Sequence, residues 1–356
     1  MSSGSGVRAG EELDVAAVDA WLRARLPALA GAPRVSQFAG GASNWTYRLE
    51  YPGQDLVLRR PPAGTKAKSA HDMAREFRVQ QALRSSFPYV PEMVAYCADP
   101  AVIGCEFYVM RRIPGRILRG DLPPGLDLDA AAARRLSQSV VDTLVELHRV
   151  NPAAAGLADL GRGAGYCRRQ VEGWSQRYRQ ARTWNVPSFG GVIAWLAAHV
   201  PEDSGLCVVH NDFRLDNLVL DAADPTRVVG VLDWEMATLG DPWMDVGNSL
   251  AYWVEAGDDP IGRALRRQPT HLPGMLTRSE LLARYAERTG RAPADWTFYE
   301  VQGIFRLAVI AQQIYYRYHH RQTRNPAFRR FWLFVHYLGW RCRRRIRACP
   351  RRSAAG

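Results

Sequence analysis

At 356 residues, with 47% hydrophobic and 23% charged side chains, the chain is long enough for two lobes that each bury a core and has the balance of a soluble globular protein. The net charge of +12 is almost wholly arginine, since Lys66 and Lys68 are the only lysines, and it favours anionic partners. No apolar run approaches the roughly 18 residues that cross a bilayer, and the opening MSSGSGVRAGEELD has no apolar signal core. The six cysteines, Cys97, Cys105, Cys167, Cys207, Cys342 and Cys349, form no C-x-x-C pair, so reduced thiols are expected rather than zinc ligands or disulfides, in a cytoplasmic protein.

Residues 1–13 read as a disordered start. Asp14 caps a predicted helix from Val15 to Leu26, with Val15, Val18, Leu22 and Leu26 at helical spacing and Pro27 after it. In VSQFAGGASNWTYRLEY a glycine-rich turn, Gly40 to Asn44, separates two strand-like runs, and QDLVLRRPP follows as a third. A helix is expected over about Ala70 to Leu83, then two more strands, MVAYC and CEFYVM, giving a small five-stranded lobe. The second lobe opens with a helix from about Asp129 to Val150, whose Leu136, Val140, Leu144 and Leu147 form a core stripe with a structural His148 beside it. GYCRRQVEGWSQRYRQAR is a second amphipathic helix with an arginine-rich face, read as solvated in preference to lining an acceptor groove.

Val208 to Asp245, VVHNDFRLDNLVLDAADPTRVVGVLDWEMATLGDPWMD, concentrates polar residues at the ends of apolar strand-like runs. Two strands joined by the DAADPT turn, centred near Asp224 or Pro225, set Asn217 opposite Leu232 or Asp233. One amide and one carboxylate then meet at the open end of the hairpin. Hard oxygen ligands of that kind suit Mg²⁺, which keeps phosphate oxygens and waters at about 2.1 Å as its other ligands. Asp212, five residues before Asn217, reaches the same place as a base that orients an attacking hydroxyl. His210 reads as structural, bonding across the loop; Asp241 reads as a helix cap, and Asp241 and Asp245 could also bracket the active-site loop.

The spacing H-x-D-x-x-x-x-N, here His210-Asn-Asp212-Phe-Arg-Leu-Asp-Asn217, followed by Leu-Asp233-Trp-Glu, is the catalytic-loop and metal-aspartate pattern of kinases. It resembles the aminoglycoside phosphotransferase and choline kinase superfamily, whose signature is close to HGDxxxxN with IDWE and GDPxxD. The runs EFYVM and TLGDP make it most similar to the kinase-like domain fused ahead of acyl-CoA dehydrogenases. The similar region extends from about Phe38 to about Trp253.

The resemblance implies an α+β, two-lobed protein-kinase-like fold, with a small antiparallel sheet and one key helix ahead of a larger helical lobe. It implies a nucleotide site built from Gly40, Gly41, Ser43, Asn44, Arg59, Glu76 and Met110, with Arg59 standing where the family commonly has lysine and Glu76 as its partner. Met110 to Gly115 would be a hinge whose backbone holds the base. Asp212 would be the catalytic base, and Asn217 and Asp233 the Mg²⁺ ligands. The expected lobes are residues 14–112 for nucleotide and 113–347 for catalysis and acceptor, with a basic tail at 348–356.

The expected reaction moves the γ-phosphate of ATP, or GTP, to a hydroxyl of a small molecule. Helical runs after about Thr277 offer Tyr, Trp, Phe and Arg rather than clustered carboxylates, which points to an anionic acceptor such as a hydroxyacyl-CoA. A nucleotide-binding pseudokinase, motivated by Arg59, and an antibiotic phosphotransferase stay open as alternatives. No nucleic acid or membrane partner is expected, because no recognition module accompanies the arginine-rich tail. The sequence leaves the oligomeric state open.

Overall fold

The computed structural model describes residues 6–38, 44–62 and 72–349; Gly40, Gly41 and Ser43 of the expected phosphate turn lie outside the described residues. The chain folds as an antiparallel sheet with two helices, followed by a larger helical part, the two-lobed α+β arrangement expected. Helix α1 (Val15–Arg23) starts where Asp14 accepts a hydrogen bond from Ala17 N. It stops short of the expected Leu26, because the amides of Arg25 and Leu26 both turn back onto Leu22 O.

Strands β1 (Arg34–Gln37), β2 (Trp45–Tyr51), β3 (Gln54–Arg60), β4 (Met93–Cys97) and β5 (Phe107–Arg111) form one sheet in the order β1-β2-β3-β5-β4. Alternation along β3 gives the two faces different jobs. Leu56 and Leu58 join Tyr47, Leu49, Phe107 and Val109 in a core that α1 closes with Val18 and Leu22. Val57 packs on the other face with Tyr108, Met110 and Met73, and Arg59, two residues on from Val57, faces the same way. Helix α2 (Met73–Leu83), capped by Asp72, covers that face with Met73, Glu76, Val79, Gln80 and Leu83 buried. Glu76 therefore lies on the buried side of its helix, which rules out a surface role in an exposed pair with Gln80.

Residues 6–13, expected to be disordered, pack against the sheet instead. Leu13 is buried, Tyr47 OH donates to Glu11 O (2.6 Å), and an Arg60 guanidinium nitrogen donates to Glu12 O (2.7 Å).

The second part contains α3 (Ala130–Arg149), α4 (Tyr166–Ala181), α5 (Gly190–Ala198), the short strands β6 (Cys207–Val209), β7 (Leu218–Leu220), β8 (Val228–Val231) and β9 (Thr238–Gly240), then α6 (Pro242–Leu250), α7 (Pro260–Ala264), α8 (Arg278–Thr289), α9 (Thr297–His319) and α10 (Phe331–Ala348). Strands β7 and β8 are the expected hairpin, and β6 pairs with β9. The stripe expected on α3 is buried in the large core, together with residues of α4, α6, α9 and α10. Helices α6 and α9 cross at Gly247 and Gly303, where a Cβ on Gly303 would stand 2.2 Å from Gly247 O, so only glycine lets the backbones meet. The basic segment after Trp340 continues α10 as far as Ala348, with Cys342 buried and Arg345 paired to Glu300. All six cysteines are free thiols. No helix among the described residues is long and apolar enough to cross a membrane.

Candidate active site

Strand β6 delivers His210, Asn211 and Asp212 to the cleft between the two parts, and a short 3-10 turn at Leu215–Asn217 returns the chain into β7. Leu232 N donates to Asn217 O (2.8 Å), so the hairpin sets Asn217 opposite Leu232 and beside Asp233. The Asn217 amide nitrogen donates to Asp212 O (2.9 Å) and Asp212 Oδ2 (2.8 Å), which fixes the carboxylate and turns the amide oxygen away from it. His210 bridges the loop as expected of a structural residue. Its Nε2 bonds Leu232 O (3.0 Å), while its Nδ1 accepts from Asp212 N (3.2 Å), an arrangement that needs the neutral ring. Burial holds its pKa below the ordinary value, against the pull of Asp245, Asp212 and Asp233.

Two residues of this region sit in the left-handed backbone region, Asn211 (φ 64°) and Asp233 (φ 69°), which Asn and Asp tolerate better than most side chains. The resembled signature has glycine where this chain has Asn211. Here the side chain secures that conformation: Asn211 Oδ1 accepts from Tyr166 OH and Asn248 Nδ2 (both 3.0 Å), and its Nδ2 donates to Met236 O (3.1 Å).

Arg59 reaches across the cleft from β3. One of its terminal nitrogens donates to Asp233 Oδ1 (2.6 Å) and Glu235 Oε2 (3.2 Å), and the other stands 3.5 Å from Glu76 Oε1. The three carboxylates hold the guanidinium pKa well above its ordinary value despite burial. Burial pushes the Glu76 carboxyl up, with Arg59 opposing it, and Arg59 holds Asp233 below the usual carboxylate range. Asn44 also joins this set, donating from Nδ2 to Glu235 Oε2 (3.1 Å). Met110, expected at the start of the hinge, lies within β5 opposite Val57 and Met93 and lines the cleft. The structure thus brings together Asp212, Asn217, Asp233, Asn44, Arg59 and Glu76.

Several further residues shape this site: the sequence offers Asp245 as a bracket of the active-site loop, and gives no site role to Arg306 or Arg214. Asp245, fully buried on α6, accepts from His210 N and Asn211 N (both 2.7 Å) and contacts His148 Nε2 (3.2 Å), so it clamps the backbone before Asp212. Those bonds, His148 foremost, keep its carboxyl below the usual range against the effect of burial. Arg306 of α9 donates to Asn211 O (2.6 Å) and lies over the Trp174 ring (5.2 Å). Arg214 stands between Asp212 and Asp216, 3.1 Å from each carboxylate. Asp245, 35 residues beyond His210, is legible from its place in GDPWMD as a bracket of the loop; Arg306 carries no signal.

These groups open onto a cleft of about 710 Å³. Val57, Tyr108, Met110 and Ile113 line one wall, Asp212, Asn217 and Asp233 the floor, and Trp174, Tyr252, Arg306, Ile310 and Arg317 the far end. The carboxylates of Glu76, Asp212, Asp216, Asp233 and Glu235 outnumber the guanidiniums of Arg59 and Arg214 beside them. Among the described residues no cluster of three His, Cys, Asp or Glu could cage a metal. The surplus charge and the open oxygen pair of Asn217 and Asp233 fit Mg²⁺, which needs only one or two protein ligands when phosphate supplies the others.

The model of the phosphotransferase enzyme family (APH) matches residues 34–289, most of the chain. The chain belongs to that family. It is 37% identical over 316 residues to acyl-CoA dehydrogenase family member 11 of Rattus norvegicus, covering 86% of this chain and 40% of the relative. It is 38% identical over 289 residues to acyl-CoA dehydrogenase family member 10 of Mus musculus, covering 81% of this chain and 27% of the relative. The chain therefore spans two fifths or less of the length of these two curated relatives. Among solved structures, a Ralstonia eutropha protein provisionally assigned as an aminoglycoside phosphotransferase superposes with a TM-score of 0.77 at 32% identity, over 94% of this chain and 99% of that one. A macrolide 2'-phosphotransferase type I shares the fold with a TM-score of 0.61 at 17% identity, over 92% and 97%.

Proposed function

We propose that this phosphotransferase moves the γ-phosphoryl group of ATP, or GTP, to a hydroxyl of a small anionic molecule bound at the far end of the cleft. The observation that carries the reading is the meeting of Asp212, Asn217 and Asp233 on one cleft floor, with Arg59 above them. In this reading residues 14–112 form the nucleotide-binding lobe and residues 113–347 the catalytic and acceptor lobe. Asp212, held by Asn217 on one oxygen, orients the acceptor hydroxyl and takes its proton. Asn217 and Asp233 would hold Mg²⁺, which when bound offsets the charge of the phosphates. Arg59 positions the nucleotide, and Glu76 keeps Arg59 in place. Structures of the same fold at 13% and 16% identity, determined with GDP and kanamycin and with ATP and streptomycin, support a nucleotide in this cleft.

The acceptor end supports the choice of an anion. Arg306 and Arg317 line the cleft there with Trp174 and Tyr252, and the nearest carboxylates, Asp212 and Asp216, already face Arg214. A polycationic antibiotic would meet like charge at that end. The dehydrogenase relatives make a hydroxyacyl-CoA the first anion to test. The free thiols are in keeping with a cytoplasmic setting.

A screen with γ-labelled ATP and Mg²⁺, covering hydroxyacyl-CoAs, simple hydroxy acids, aminoglycosides and macrolides, tests the reading. Label is expected in the anionic hydroxyl compounds. Transfer only to the antibiotics would replace this acceptor class, and ATP binding without transfer to any compound would favour a nucleotide-binding pseudokinase built around Arg59.

A further inference from the structure

Arg59 is spent. It donates to Asp233 and Glu235, faces Glu76, and is held deep between the lobes. Arg214, on the loop between Asp212 and Asn217, shares with Arg59 an unpartnered Nε–H but meets its two carboxylates through ion-pair contacts. Its Nε lies 3.1 Å from Asp212 Oδ1 and its Nη1 3.1 Å from Asp216 Oδ2, yet neither contact has hydrogen-bond geometry. The Nε–H is buried without a hydrogen-bond acceptor, and so is Asp216 Oδ1 without a donor. The guanidinium carbon stands over the Tyr252 ring, 4.9 Å from its centroid, and the side chain lines the cleft with Asp212, Asn217 and Asp233.

A buried donor without an acceptor is unfavourable, most of all on a charged group. At the edge of a cleft a ligand can supply the missing acceptor. The ligand that suits a planar, permanently charged fork beside the candidate base is a tetrahedral or trigonal phosphate oxyanion.

We propose that Arg214 grips the transferring phosphoryl group, with Asp216 as the tether that holds the guanidinium at the cleft edge. The inference rests on the function proposed above. In the step it serves, a bond forms between the acceptor oxygen and the γ-phosphorus, and the bond from that phosphorus to the β,γ-bridging oxygen breaks. The electron pair leaves with the nucleoside diphosphate, and the hydroxyl proton passes to Asp212. Charge is then spread over the three equatorial oxygens of the moving group. Arg214 donates to one of them, exchanging its loose carboxylate contacts for a charge-assisted hydrogen bond.

The test needs no knowledge of the acceptor. Thermal unfolding is measured with Mg²⁺ and ADP, then with Mg²⁺, ADP and aluminium fluoride, which mimics the phosphoryl group in flight. In the wild type, aluminium fluoride is expected to raise the melting temperature beyond the ADP shift. Arg214→Ala should keep the ADP shift and lose the extra one, and Arg214→Lys should retain part of it. Should Arg214→Ala not fold, Arg214→Gln, which keeps bulk and polarity without charge, takes its place with the same expectation. With an acceptor in hand, Arg214→Ala should lower kcat by about 10²–10³-fold with little change in KM for ATP.

A wild-type extra shift that survives in Arg214→Ala or Arg214→Gln would overturn the proposal, as would a wild type that responds to ADP and not to aluminium fluoride. A wild type with no ADP shift would instead remove the nucleotide reading itself.

Discussion

Arg59→Met takes one cation away from three carboxylates while keeping much of the side chain's length. In the wild type the guanidinium stands 2.6 Å from Asp233, 3.2 Å from Glu235 and 3.5 Å from Glu76. At an effective dielectric near 20, each such contact is about 5 kcal/mol of gross attraction. Most of it is offset by the cost of desolvating the charges, and what an experiment reads is the penalty of carboxylates left buried without a partner, about 3–5 kcal/mol. At roughly 2 °C per kcal/mol for a chain of this size, the variant should melt about 6–10 °C below the wild type at pH 7. Mg²⁺ should recover part of that loss, and stabilise the variant more than the wild type, because Asp233 no longer has Arg59 on its Oδ1. The assay is thermal unfolding of both proteins with and without millimolar Mg²⁺. A variant as stable as the wild type, or one indifferent to Mg²⁺, would refute the picture of a charge surplus that only a cation satisfies.

Two further substitutions probe the loop that carries Asp212. Asp245→Asn removes the carboxylate that accepts from His210 N and Asn211 N. It should cost about 3–5 kcal/mol in urea unfolding at pH 7. Because the Asp245 carboxyl is held below its ordinary value in the fold, its contribution is present above about pH 4 and is lost as pH falls through the folded pKa, so the gap to wild type should narrow only in acid. His210→Gln tests the neutral ring. The folded pKa of His210 is depressed, so the unfolded chain binds the extra proton and stability falls as pH drops below about 6.5, by up to about 1.4 kcal/mol per unit. The variant should lack that part of the slope between about pH 6.5 and 5; equal slopes would show that the ring is not buried neutral.

What the sequence disclosed was what short range decides. The β7–β8 hairpin followed from two apolar runs around DAADPT, and Asn217 came to lie against Leu232 because antiparallel register leaves little choice once the turn is placed. Arg59 and Glu76 were legible as a pair through the resemblance to kinases, which matches them to the strand cation and the helix glutamate that face each other across that lobe. Asp245 and Arg306 were less so, since they reach Asn211 from 34 and 95 residues away and only the packing of α6 and α9 decides that they do. That packing depends on Gly247 and Gly303, whose close approach has no local signature. Helix α5 went unread because Gly-Gly opens it and its nearly continuous apolar run has no helical period. The packed residues 6–13 were misjudged on polarity: their anchors are backbone carbonyls of Glu11 and Glu12, which composition does not reveal.

The most direct test of a phosphoryl-transfer site on this floor is a pair of titrations with ATP, with and without Mg²⁺, on Asp212→Asn and Asp233→Asn alongside the wild type, each followed by single-turnover transfer. Asp212→Asn should bind ATP with Mg²⁺ as the wild type does and transfer nothing, and Asp233→Asn should lose the Mg²⁺-dependent part of the affinity. Wild-type turnover in both variants, or binding that ignores Mg²⁺ in all three proteins, would contradict the assignment.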